Sequence, residues 1–110
     1  MRDIQLNDPL RNKITLTQKC WMNHILAKHP IMRNFLKETT ETIRNPDYIF
    51  QSKISEASQL YFKHFEESKG EEFYLMIVVE RKTHSSRGFV KTGFPVYHLS
   101  KGGQLIWKKG

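Results

Sequence analysis

His24 and His29 stand five residues apart in "MNHILAKHP", Met22 to Pro30, and imidazole is the side chain that changes charge near neutral pH. On a regular helix a spacing of five turns the second ring about 140° from the first. One helical face cannot then offer both to a metal ion, and no zinc site is expected. Cys20 is the only cysteine, which leaves neither an internal disulfide nor a cysteine-based metal cluster. Gly-rich phosphate loops, nucleophile elbows and zincin motifs are missing as well.

The remaining reactive groups are dispersed: His24 and His29, then Tyr61 and Lys63 in "LYFKHF", then Lys91 and Thr92 in "FVKTGF". Such a set suits RNA cleavage without metal or cofactor. The ribose 2′-hydroxyl attacks the adjacent phosphate, one group takes a proton, another gives one, and the charge growing on the phosphate oxygens is stabilised. His24 or His29 would serve as base or acid. Lys63, with Lys53 or Lys91, would stabilise phosphate charge, while Thr92 and Tyr61 position the scissile group.

Each residue also has an ordinary reason to be present. His29 closes a helix, where a cation favours the negative end of the dipole. His24 borders an apolar stripe and can be a hydrogen-bonded core-edge residue. Tyr61 and Lys63 alternate with apolar neighbours as a solvated strand face would. Thr92 suits a strand by propensity alone. His64 points with Leu60 and Phe62, and His84 and His98 belong to no motif.

Lys and Arg number 18 against 11 Asp and Glu, a formal net charge of +7 on 110 residues. A balance this basic on one small domain points to an anionic partner, and nucleic acid ranks ahead of a membrane because no basic amphipathic helix with a broad apolar face is present. The opening "MRDIQLNDPLRNK" has no apolar core of a signal peptide, and no run of about eighteen apolar residues occurs that would span a bilayer. A cytoplasmic location is expected.

The elements that must position these groups are read from periodicity. Residues 1–12 read as a polar arm, and 13–110 as a single domain. "KITLT" is a short strand, and Thr17 caps the helix after it, whose stripe is Trp21 and Ile25 with Met22 and Leu26 beside them. Pro30 ends that helix and starts a second one carrying Met32, Phe35, Leu36, Thr39 and Ile43, which stops at "RNPD". Beyond residue 47 the period becomes two. "YIFQSKI" and "SQLYFKHF" alternate, "KGEE" is a hairpin turn, and "FYLMIVVE" is apolar throughout, as a buried central strand is. After the polar "KTHSSRG" loop come "FVKTGFPVY", a "KGG" turn and a last short strand, "QLIWKK". The fold class expected is α+β, with two N-terminal helices packed on a four- to five-stranded antiparallel sheet.

Taken in order, "ITLTQKCWMNHILAKHP", "TIRNPDYIFQSK", "LYFKHF", "FYLMIVVE", "GFVKTGFPV" and "GQLIW" resemble the phage and cyanobacterial branch of the nuclease superfamily named for barnase, EndoU, colicin and RelE (BECR), over about Lys13 to Lys108. The resemblance implies a helical pair on a twisted antiparallel sheet with a metal-free ribonuclease site on its open face. Its pattern falls on His24, His29, Tyr61, Lys63 and Thr92. One departure is visible: the family's T-A-(Y/F) element reads Thr92-Gly93-Phe94 here, and glycine there admits close approach of a ligand to the backbone. A small, toxin-like or phage-derived endoribonuclease is thus expected, with RNA as substrate and an acidic antitoxin or immunity protein as a second partner. The alternatives are a nucleic-acid-binding module without catalysis and an interaction domain that binds such an antitoxin.

Overall fold

A computed structural model describes residues 1–82, 84–99 and 103–110. The chain is α+β, and its described residues form one seven-stranded sheet in the order β1-β2-β6-β5-β4-β3-β7. Its strands are β1 Ile4–Asn7, β2 Lys13–Leu16, β3 Tyr48–Gln51, β4 Ser58–Glu66, β5 Glu72–Arg81, β6 Arg87–Val96 and β7 Leu105–Lys108. The expected antiparallel sheet of four or five strands is present in β3 to β7, paired in the order β6-β5-β4-β3-β7. Beyond β6 the sheet is larger than expected and mixed, because β2 runs parallel to β6.

The stretch read as an arm includes β1, which pairs antiparallel with β2 from Ile4↔Leu16 to Asn7↔Lys13. Two strands therefore precede the helices, and the helices are not N-terminal. What joins β1 to β2 is a carboxylate: Asp8 accepts from the amides of Leu10 and Asn12 at 2.9 and 2.7 Å. This closes a tight loop that no hydrophobic period would show, with Arg11 in the left-handed region at φ 65. The "KGG" turn expected at residues 101–103 falls largely outside the described residues, as does Thr83 of the loop before β6.

Between β2 and β3 run two helices. The first comprises Gln18–Cys20, a π-helical turn Trp21–Ile25 and Leu26–Lys28. Thr17 caps it as expected, its hydroxyl accepting from the Cys20 amide at 3.0 Å. Trp21 and Ile25 are buried, whereas Met22, read as part of the stripe, is exposed. Pro30 opens a 3₁₀ segment, Pro30–Phe35, which continues into the second helix, Leu36–Arg44. There Thr39 and Thr42 face the core with hydroxyls that donate to the Phe35 and Glu38 carbonyls at 2.7 Å each. Such back-bonding lets two polar residues be buried.

The core lies between this helical layer and one face of the sheet. Ile14, Leu16, Trp21, Ile25, Met32, Ile43, Ile49, Leu75, Ile77 and Val79 fill it. In β4 the expected alternation is present, but the buried side is the one carrying Tyr61, which pairs with Ile77 and belongs to the core. Leu60, Phe62 and His64 take the opposite face with Tyr74, Met76 and Val78 of β5. Phe62 is nonetheless fully buried, packed edge-on to Phe50 of β3 at 5.8 Å. Both sides of this strand hold aromatic side chains, so periodicity alone does not tell which side meets the helices.

Candidate functional site

β2 accompanies β6 only from Arg87 to Phe89. Past that point the first helix runs beside β6. The Cys20 thiol donates to the carbonyls of Val90 and Lys91 at 3.1 and 3.4 Å, so a buried cysteine satisfies backbone that no strand pairs. Burial pushes the Cys20 thiol pKa up and keeps it in the donor form. At the same place the register of β6 against β5 shifts, from Val79↔Val90 to Val78↔Thr92. Lys91 is thus the extra residue of a β-bulge, a device that re-aims a side chain.

These two features make a cleft of ≈520 Å³ between helix and strand. Thr17, Lys19, Cys20, His24 and Lys28 line it from the helix side, and Glu80, Phe89, Val90, Lys91 and Thr92 from the sheet. His24 lies in the π-helical turn, a distortion found often at functional sites. Of the residues singled out in the sequence, His24, Lys91 and Thr92 come together here. Glu80 and Lys91 approach to 3.7 Å with both side chains about half exposed. An ion pair of that exposure adds little stability, about 0–1 kcal/mol, so its consequence is placement of the two groups.

His29 sits outside the cleft, close by. Its backbone leaves the helix at φ −133, ψ 75, and its ring stacks on Phe94 with centroids 4.6 Å apart. Thr92 and Phe94 are neighbours on one face of β6, about 6.8 Å apart by strand geometry. The expectation of a plain helix cap is replaced by an imidazole laid over the sheet. Lys53 lines a hollow next to the cleft, and Lys91 lines both.

Tyr61 and Lys63 do not join this group. Both lie on the core face, across the sheet from Phe94 and Thr92. The Tyr61 hydroxyl donates to the buried Asp8 carboxylate. Burial first, and then that bond, raise its pKa well above the ordinary value. Lys63 donates its ammonium to the Asn45 carbonyl at 2.8 Å, at the end of the second helix. A phosphate in the cleft is out of reach of both.

Two functional candidates escaped the sequence reading. Lys28 follows His24 by four residues, and that spacing places the two on one helix face. Glu80 ends the apolar "FYLMIVVE" run, and it shares a cleft with the imidazole only because the first helix lies beside β6. Gly93, read as a place of close ligand approach, pairs with Ile77 on the core side of the sheet, away from the cleft. A Cβ there would come within 2.5 Å of Ile77 Cδ1 and 3.2 Å of the Met76 carbonyl.

The cleft therefore gathers one imidazole, one carboxylate, three lysines and the Thr92 hydroxyl. An imidazole and a carboxylate make an acid–base pair, and the lysines make the place electropositive. Among known proteins, no family model, no curated protein and no solved structure matches the chain. Among the described residues, no helix is long and apolar enough to cross a membrane.

Proposed function

We propose that the protein is a small, metal-independent endoribonuclease of the BECR kind, acting in the cleft between the first helix and β6. The observation that carries this reading is the gathering of His24, Glu80, Lys28, Lys91 and Thr92 around one cleft. Glu80 takes the proton of a ribose 2′-hydroxyl, and O2′ attacks the neighbouring phosphorus. The bond from phosphorus to O5′ breaks, and His24 gives its proton to the leaving oxygen. A 2′,3′-cyclic phosphate and a free 5′-hydroxyl result. Lys28 and Lys91 hold the non-bridging oxygens, and the Thr92 hydroxyl donates to one of them. His29 and Lys53 belong to the binding surface around this centre.

The test is cleavage of labelled RNA in the presence of a chelator, with the product ends identified. Cyclic phosphate forms, and His24→Ala and Glu80→Gln each lower kcat by about 10²–10⁴-fold, the usual contribution of a positioned acid or base. Cleavage that stops with the chelator, or persists unchanged in both variants, rejects the proposal.

A second reading is a nucleic-acid-binding module without catalysis. It draws on the rings of Tyr48, Tyr74 and Phe94, which share the sheet face opposite the core with Lys53, Lys91 and Lys108 among the residues lining its hollows. Bases stack on such rings while lysines track the phosphates. Steep salt dependence of binding without any cleavage distinguishes it. Under either reading the protein works in the cytoplasm, and the same lysines offer an acidic antitoxin or immunity protein its docking charge.

A further inference from the structure

Next to the His24 cleft is a second hollow of ≈420 Å³, within the range of about 300–1,000 Å³ typical of small-molecule sites. Leu60, Met76, Val78 and Phe94 line it from three adjacent strands. Ile54 lines it from the loop between β3 and β4 and is 97% exposed, an apolar side chain with nothing over it. That loop is not slack. The Gln51 side-chain amide lies 3.1 Å from each of the Ser55, Glu56 and Ser58 carbonyls and so clasps the loop to the end of β3.

The surroundings select the occupant. Lys53 and Lys91 are the charged groups among the described residues that line the hollow, and none of those residues is acidic. Lys91 lines the His24 cleft too. A ligand spanning both hollows places a flat apolar group beside Phe94 and an anionic group at Lys91. A nucleotide has that shape and charge. His29 stacks on Phe94, which steadies that ring as a platform.

We infer that the hollow lined by Leu60, Met76, Val78, Phe94 and Ile54 receives one nucleobase of an RNA strand whose adjoining phosphate lies at Lys91. The inference rests on the proposed function for its choice of RNA, and its test is independent of catalysis. Fluorescently labelled 2′-O-methyl RNA tetramers of each base have no 2′-hydroxyl to attack phosphorus. An abasic tetramer of equal length carries the same phosphates. Titrated into the full chain and monitored by anisotropy, at least one base-bearing tetramer binds about tenfold or more tightly than the abasic one, as stacking of one base implies. Leu60→Trp fills the hollow and Ile54→Ser removes its exposed wall. Each variant reduces the difference to threefold or less while the abasic tetramer binds as before.

Equal binding of base-bearing and abasic tetramers overturns the inference. So does a base preference that survives in both variants, or no measurable binding of any tetramer. Ile54→Ser alters a fully exposed side chain, which keeps the test decisive should Leu60→Trp fold poorly. Base-dependent binding together with a chain that cuts no RNA leaves this pocket standing and removes the nuclease. Cleavage without base-dependent binding does the reverse.

Discussion

Replacing Tyr61 by Phe removes one oxygen, and the effect depends on which face of the sheet that oxygen occupies. Tyr61 is fully buried and its hydroxyl donates to Asp8. The carboxylate keeps three other donors: the Leu10 amide, the Asn12 amide, and the Asn12 side-chain amide at 3.1 Å. Loss of one hydrogen bond to a charged group costs about 1.5–3 kcal/mol. At about 2.1 cal/mol/K of unfolding entropy per residue, a chain of 110 residues unfolds with about 0.23 kcal/mol/K, so Tm falls by roughly 6–13 °C.

The same bond gives a signature in pH. Tyr61 keeps its proton in the fold well above the ordinary phenol value of 10.0, whereas in the unfolded chain it ionises there. The native state then binds more protons than the unfolded state, and stability declines as pH rises past 10, at up to about 1.4 kcal/mol per pH unit for this residue. Tyr61→Phe lacks that part of the slope. Thermal unfolding monitored by circular dichroism between pH 7 and 11, for both proteins, measures the two effects together. A Tm within about 2 °C of the parent, or RNA cleavage lost with stability intact, refutes the structural role and returns Tyr61 to the substrate side.

Two further outcomes concern the seam around β6. Gly93→Ala drives a methyl group against Ile77 Cδ1 at 2.5 Å and lowers stability by about 1–3 kcal/mol, a typical overpacking cost. Ile77→Val in the same chain removes that carbon and restores part of the loss, read as the urea midpoint at unchanged slope. Cys20→Ala leaves the Val90 carbonyl without its thiol donor and costs about 1 kcal/mol. In the native parent, Cys20 is buried with its pKa raised, so disulfide reagents modify it slowly, and urea abolishes the protection.

Local signals were legible where one residue type decides the matter. Thr17 caps, Pro30 ends the first helix, and Gly70 turns the β4–β5 hairpin at φ 83. The four central strands are legible in their alternation and β-branched content. So are the short strands β2 in "KITLT" and β7 in "QLIWKK". The strand β1 and the place of β2 in the sheet were not. β1 depends on Asp8 binding amides of its own loop, and β2 is placed by a parallel pairing with residues more than seventy positions away. Neither contact leaves a period in the sequence.

The candidate site divides in the same manner. The sequence by itself determined which chemistry was on hand: imidazoles on a helix that Pro30 must end, an excess of lysine, one cysteine, and Lys91-Thr92 within a strand. It also determined that Tyr61 and Lys63 lie on one side of β4 and His64 on the other. Only the tertiary structure decided which side faces the helices, because both sides of that strand are apolar enough to be buried. By burying the Tyr61 side, it removed Tyr61 and Lys63 from the cleft. It likewise brought Glu80 beside the helix that carries His24 and Lys28, since a helix laid along a strand edge is a long-range event. Periodicity records how a segment folds, whereas a site is made where segments distant in the chain meet.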